Sequence, residues 1–149
     1  MTEVEFHFNV GEKLNYSCRL LRKAVTGGSR LLVTGESAQL AQLDELLWTF
    51  VSTSFLPHCQ LQADEAVRAA SPVLLTPVLD APALRSLGHG VLVNLGSEVP
   101  TGFERFERFI EVVGSDEADR LAARIRWSHY KRRGYALTSH DRAATKGAT

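Results

Sequence analysis

Apolar residues in the first third of the chain follow two periods, one typical of strands and one typical of helices. Residues 4–9 alternate apolar and polar side chains, which predicts a strand, and residues 12–25 carry apolar side chains at helical spacing until Gly27. The apolar run 30–34 and the helical pattern over 37–48 repeat this order. Two successive units of a strand and a helix are therefore predicted.

The rest of the chain continues the alternation with shorter segments, apart from residues 60–70, which show no clear period. The further predicted elements are strands at 72–79, 90–95 and 109–113, a helical turn at 103–107, and a C-terminal helix that Ser115 caps and Gly134 closes. This alternation predicts a single α/β domain with a mostly parallel sheet flanked by helices on both faces. We assign residues 1–137 to this domain and residues 138–149 to a polar, flexible C-terminal tail.

The predicted topology is like that of nucleotide-binding domains, but the phosphate motifs of those domains are missing. Gly11 and Gly35 follow the first two predicted strands without completing GxGxxG or GxxxxGK[ST]. We therefore predict a nucleotide-binding-like fold without a phosphate motif, and no cofactor.

Residues for catalysis or metal binding do not cluster along the sequence. The five histidines lack HxxxH and HExxH spacing, and the two cysteines, Cys18 and Cys59, lack CxxC spacing. Cys18 is interpreted as a core residue of the first helix. His58 and Cys59 are adjacent and are interpreted as loop residues, because a catalytic base and nucleophile normally come from separate segments. The sequence predicts no catalytic site and no metal site.

Membrane insertion and export are not expected either. No stretch approaches the roughly 18 to 20 apolar residues of a membrane span, and the first residues do not form a basic region followed by an apolar run. We expect a cytoplasmic protein with no membrane partner.

Charge is divided sharply between two parts of a chain whose formal net charge is zero. Residues 1–119 hold 9 basic and 16 acidic residues, whereas residues 120–149 hold 8 basic residues and 1 acidic residue. Such a concentration of charge creates a local field that attracts anionic partners. The C-terminal helix is therefore the first place to look for a binding site.

The basic residues of that helix form a stripe that includes an indole. Helical positions spaced i, i+4, i+7 and i+11 lie within about 60° of one another. In this chain they are Arg120, Arg124, Trp127 and Lys131. The residues predicted to face the core are Leu121, Ala122, Ile125 and His129, and those predicted to face solvent are Arg126 and Arg133.

A solvated basic face is the alternative interpretation of this stripe, because cations near a helix end are favoured by its dipole. Two features argue against it. Trp127 places a large apolar ring among the charges, and Arg120 and Arg124 lie well before the helix end. A partner that combines negative charge with an apolar or planar group fits both features.

A second candidate surface follows the second predicted helix. Residues 48–58 are rich in large apolar side chains, and exposed aromatic residues with small polar neighbours are typical interface anchors. Trp48 and Phe50 have an alternative interpretation as core residues. Phe55, Leu56 and Pro57 are predicted to be exposed.

Over nearly its full length the chain resembles the chi subunit family of the bacterial DNA polymerase III holoenzyme. The segments that carry the resemblance are 43–48, 54–58, 109–113 and 121–137, the last with Tyr130 and Gly134-Tyr135. No single motif is diagnostic, but their order is specific. The resemblance implies an accessory, noncatalytic subunit associated with the clamp loader, within a complex that has DNA-directed DNA polymerase (nucleotidyltransferase) activity. It also implies a nucleotide-binding-like fold without a nucleotide site.

The resemblance further implies a binding site for the acidic C-terminal tail of single-stranded-DNA-binding protein, which ends in proline and phenylalanine. Matched by position, Arg120 and Arg124 hold the carboxylates of the tail, Val113 lines the pocket for the terminal ring, and Trp127 replaces a tyrosine. Ser128 stands where many members have a lysine, and Lys131 on the same stripe can supply that charge.

By the same resemblance, the aromatic segment binds the psi subunit, and through it the clamp loader, or a repair helicase. The implied interface residues are Trp48, Phe55, Leu56 and Pro57. Which of these partners it meets stays open.

Two other functions compete with this interpretation. The basic helix could bind single-stranded nucleic acid directly, with Trp127 and Tyr130 stacking on bases. However, one ring on the stripe is a poor stacking platform, and the acidic body repels a phosphate backbone, so we expect little direct DNA binding. A small nucleotide-dependent enzyme would need the phosphate loop that the sequence lacks.

Overall fold

The computed structural model describes residues 2–49, 57–60, 63, 65–79 and 88–143. The elements in chain order are β1 (Glu3–Phe8), α1 (Lys13–Thr26), β2 (Leu31–Thr34), α2 (Ser37–Thr49), β3 (His58–Gln60), α3 (Glu65–Ala70), β4 (Val73–Leu75), β5 (Val91–Asn94), a 3₁₀ turn (Phe103–Arg105), β6 (Arg108–Val112), α4 (Glu117–Arg132) and β7 (Ala136–Asp141). In this part of the chain, no helix is long and apolar enough to cross a membrane.

The strands form one sheet of seven parallel strands in the order β3-β4-β2-β5-β6-β1-β7. Apolar side chains of α1 and α2 pack on one face of the sheet, and those of α4 and the 3₁₀ turn pack on the other. The predicted α/β fold with a parallel sheet and helices on both faces is therefore confirmed.

The continuously apolar sequence of strand β2 is explained by its burial on both faces of the sheet. Leu31 and Val33 belong to the cluster under α1 and α2, whereas Leu32 belongs to the cluster on the α4 face. All three are buried, since a central parallel strand is covered on both sides. Cys18 of α1 packs in the first cluster, as predicted.

Short elements between residues 57 and 79 differ from the prediction. The sequence predicts His58 and Cys59 as loop residues, but they are the buried residues of the three-residue strand β3. Strand β4 is limited to Val73–Leu75, because the chain turns at Thr76, whose hydroxyl bonds with the backbone of Val78.

The N-terminal cap of α4 also differs from the prediction. The cap is Asp116 and not Ser115, since the Asp116 carboxylate accepts a hydrogen bond from the Asp119 amide at 3.1 Å.

The buried face of α4 also differs from the prediction. Leu121 and Ile125 are 49% and 71% exposed, whereas Arg126 is only 2% exposed. The residues that α4 buries are Ala123, Arg126 and Tyr130, while Ala122 and His129 are half-buried and Arg133 is exposed as expected. The assignment of Arg126 to solvent was wrong because a buried carboxylate on β6 pairs with it.

The last strand extends the sheet beyond the predicted domain end. All six residues of β7 pair in parallel with β1, so residues 138–141, assigned to the tail, form part of the sheet. Gly134 adopts a φ of +83°, which suits the turn between α4 and β7. Tyr135 then packs against the rings of Phe103 and Tyr130. Residues 144–149 of the predicted tail lie outside the described residues.

Candidate functional site

A groove lies on the face of the sheet that α4 covers, where this helix meets β1 and β7. Its volume is about 280 Å³. The residues that line it are Phe6, Phe8, Val113, Arg120, Ala123, Arg124, Trp127 and Ser139. Pockets that hold whole small-molecule ligands generally measure about 300–1,000 Å³, so the size of this groove suits one or two side chains of a longer partner.

The floor of the groove is apolar. Phe6, Val113 and Ala123 are buried side chains of the core cluster on this face. Trp127 is half-buried, and its ring meets that of Phe6 edge to face with centroids 5.1 Å apart. One face of the helix therefore offers a partly exposed aromatic wall above a buried apolar base.

The mouth of the groove is cationic. Arg120 and Arg124 are exposed, and neither side chain makes a hydrogen bond or an ion pair within the described part of the chain. A guanidinium group presents several N–H donors in a plane and stays charged at any relevant pH. These two side chains can therefore pair with carboxylates of a partner without first breaking an internal contact.

The start of α4 is fixed close to this mouth by Asp119. Its carboxylate accepts a hydrogen bond from the amide of Gly114 at 2.7 Å and pairs with Lys13 at 3.0 Å. Because Gly114 directly follows Val113, these bonds hold the floor of the groove and the first turn of the helix together. Arg120 thus projects from a well-anchored position.

A buried polar network holds the other face of α4 to the sheet. Oε2 of Glu111 on β6 accepts hydrogen bonds from Nε of Arg126 at 3.0 Å and from the Tyr130 hydroxyl at 2.5 Å. Its other oxygen accepts one from Asn94 at 2.8 Å. Burial raises the pKa of the Glu111 carboxyl, against the opposing effect of Arg126. Burial and the adjacent Glu111 also raise the pKa of Tyr130. The network sets how α4 lies on the sheet and therefore shapes the groove.

The structure brings together four of the six residues predicted for the binding site: Val113, Arg120, Arg124 and Trp127. Ser128 and Lys131 are exposed on α4 outside the groove lining. Sequence analysis did not identify Phe6, Phe8, Ala123 or Ser139. The alternation in β1 places Phe6 and Phe8 on one face, but the sequence alone does not indicate which helix covers that face.

The second predicted surface is described only in part. Trp48 at the end of α2 is 60% exposed, so its interpretation as a core residue is wrong. Its ring packs against His58, with centroids 5.2 Å apart. Pro57 is also exposed, while Phe50, Phe55 and Leu56 lie outside the described residues.

A larger cavity of about 510 Å³ lies at the carboxyl ends of β2 and β5. In α/β sheets this is the usual position of a nucleotide. Thr34, Gly35 and Asn94 contribute to the wall, and the charged residues among its described lining are Glu36 and Glu98. Two carboxylates disfavour phosphate groups, so the basic groove is the better candidate for an anionic partner.

Comparison with known proteins places the chain in a family. The family model described as DNA polymerase III chi subunit, HolC, matches residues 1–138. DNA polymerase III subunit chi of Pseudomonas aeruginosa is 33% identical over 145 residues, covering 94% of this chain and 96% of the relative. The corresponding subunit of Haemophilus influenzae is 28% identical over 127 residues, which is 84% of each chain. The chain therefore belongs to the chi subunit family, whose members are accessory subunits of DNA polymerase III in DNA replication.

Proposed function

We propose that the groove on α4 binds the acidic C-terminal tail of single-stranded-DNA-binding protein and thereby links that protein to the replisome. The observation that carries the proposal is the pairing of two exposed arginines, Arg120 and Arg124, with an apolar base in a groove of side-chain size. An acidic peptide that ends in proline and phenylalanine has both complementary features. The chain itself performs no catalysis in this proposal.

The two parts of the groove contribute differently to binding. Exposed ion pairs are worth about 0 to 1 kcal/mol each, so Arg120 and Arg124 mainly accelerate association and orient the tail. The terminal phenylalanine ring supplies apolar burial against Val113 and Trp127. We expect micromolar affinity that weakens as the salt concentration rises.

Direct binding of single-stranded DNA is the competing function, because Lys131, Arg132 and Arg133 extend the basic surface of α4. One of its two candidate stacking residues is unsuited to the task. Tyr130 is 0% exposed and donates its hydroxyl to Glu111, so of these two residues only Trp127 can offer a ring to a base. A single ring gives a weak platform for successive bases.

A titration with three fluorescent probes distinguishes the two functions. The probes are the intact tail peptide, the same peptide without its final phenylalanine, and a single-stranded oligonucleotide. We expect a saturable anisotropy change with the intact peptide and at least a tenfold weaker response with the other two. Equal binding of both peptides would contradict the proposed ring pocket, and preferential binding of the oligonucleotide would favour the competing function.

We also propose that the surface around Trp48 and Pro57, with Phe55 and Leu56, contacts the psi subunit, and through it the clamp loader, or a repair helicase. Its support is the exposure of Trp48, a large aromatic ring at the end of α2. Trp48→Ala should abolish co-purification with that partner and leave tail binding intact. Retention of every partner by this variant would contradict the assignment.

A further inference from the structure

Three potential metal ligands converge on the face of the sheet opposite the groove. Glu5 and His7 are two residues apart on β1 and therefore point to the same side, and the strand register pairs His7 with His140 of β7. Nε2 of His7 lies 3.5 Å from Oε1 of Glu5, and Nε2 of His140 lies 3.7 Å from the same oxygen. The three ligand atoms all lie within 4.8 Å of one another.

These separations are close to those of ligands around one metal ion. Zinc binds imidazole nitrogen and carboxylate oxygen at about 2.0–2.2 Å, so two ligand atoms in a tetrahedral site are about 3.4 Å apart. The two separations from Glu5, 3.5 and 3.7 Å, exceed this value by about 0.1 and 0.3 Å. Small side-chain rotations would bring all three atoms to an ion placed between them.

The surroundings hold the ligands in suitable positions. The Tyr16 hydroxyl lies 2.5 Å from Nδ1 of His7, which leaves Nε2 directed at the cluster. Metal-bound histidines commonly use their second nitrogen for such a bond.

Two arginines moderate the negative charge of the cluster. Arg108 pairs with both oxygens of Glu5, and Arg142 donates to the Tyr16 hydroxyl at 2.9 Å. Arg108 has a half-exposed side chain and can keep its bond to Oε2 when Oε1 binds a metal. Because these cations repel a dication, we expect weaker affinity than that of a structural zinc-finger site.

We propose that Glu5, His7 and His140 bind one Zn²⁺ ion, with the fourth position open to water. The His140 side chain is 46% exposed, which gives the ion access from solvent. Two imidazoles and one carboxylate are a ligand set suited to zinc and related transition-metal ions.

A bound ion would fasten the edge strand β7 to β1. Ser139, the neighbour of His140, points to the opposite side of the sheet and lines the α4 groove. The metal site would therefore stabilise one wall of the proposed binding groove from the other face.

Isothermal titration of the untagged chain with ZnCl₂ tests this proposal. We expect one ion per chain for the natural sequence and at least tenfold weaker binding for His140→Ala, whose exposed side chain can be removed without opening the core. His129→Ala is the matched control, because His129 lies on α4 and bonds with Arg133. Absence of binding to the natural sequence, or unchanged binding by His140→Ala, would overturn the site.

A Co²⁺ spectrum supplies a readout of the ligands themselves. Cys18 and Cys59 are thiols elsewhere in the fold that could also hold a metal. The proposed site predicts visible d–d bands without a thiolate-to-metal charge-transfer band, and the bands should disappear in His140→Ala. A thiolate band would place the ion at a cysteine and contradict the proposal.

Discussion

Arg124 and Arg126 lie two residues apart on α4 but face entirely different surroundings. Arg126 is buried and bonds with Glu111 and with the carbonyl oxygen of Ser97. Arg124 is exposed at the mouth of the groove, and its side chain bonds with no other described residue. Arg126 stabilises the position of the helix, and Arg124 is available to a partner. A count of basic residues does not distinguish these roles, whereas the surroundings of each side chain in the fold do.

The largest expected effect is on the free energy of unfolding, which should fall much more when the buried face of α4 is altered than when its groove face is altered. Glu111→Ala leaves Arg126 as a buried charge without its carboxylate, which costs about 3–5 kcal/mol of the free energy of unfolding. Arg124→Ala removes an exposed side chain and should change that free energy by less than about 0.5 kcal/mol. Urea denaturation of both variants measures the difference. Similar losses in the two variants would refute the division of roles.

Removal of the indole should have the largest effect on binding. Trp127→Ala opens the aromatic wall, and we expect tail affinity to fall about tenfold or more, in line with buried aromatic anchors elsewhere. Because Trp127 also packs against Phe6, denaturation must first show that the variant is folded at the assay temperature. Trp48→Ala is the matched control, and an equal loss of affinity in that variant would argue against the groove.

Removal of a groove arginine should reduce tail affinity less than removal of the indole does. An exposed ion pair contributes about 0 to 1 kcal/mol, so Arg124→Ala should weaken tail binding by up to about fivefold and reduce its salt dependence. Arg132→Ala removes an equal charge from the same helix outside the groove lining and should leave affinity nearly unchanged. Fluorescence anisotropy at two salt concentrations measures both variants. Identical behaviour would show that only the total charge matters.

The smallest effect on tail binding is expected from substitution of Lys131, which shares the stripe with the arginines but lies outside the groove lining. Its charge acts through solvent, and we expect Lys131→Ala to slow association of the tail by less than about twofold. Stopped-flow mixing at low salt measures this rate. If Lys131→Ala slowed association of the tail more than Arg124→Ala does, the result would indicate a binding site nearer the C-terminal end of the helix.

Of the four residues that the sequence predicts for one stripe of α4, three line the groove and Lys131 does not, while the predicted buried face of the helix is wrong. The spacing of Arg120, Arg124 and Trp127 is a local property of a helix, so it predicts their common face without knowledge of the fold. Burial of Arg126 depends on Glu111, which lies on β6. Hydrophobic periodicity assigns an arginine to solvent, and no local pattern reveals that a distant carboxylate compensates its charge.

Long-range pairing explains the other differences as well. Strand β7 is mostly polar and exposed, so it lacks the alternation that marks β1, and its pairing with β1 is visible only in the fold. The same pairing brings His140 beside His7 and Glu5, which no sequence spacing indicates. Central strands such as β2 were predictable because burial on both faces requires a continuous apolar run.

The most direct test of the central claim uses Trp127 as its own reporter. The chain has two tryptophans, so Trp48→Phe leaves Trp127 as the sole source of indole fluorescence. Addition of the intact tail peptide should change this emission saturably, with the midpoint found by anisotropy, and the peptide without phenylalanine should not. Tail binding that leaves the emission of Trp127 unchanged, but alters that of Trp48 in a Trp127→Phe variant, would contradict the assignment of the tail to the α4 groove.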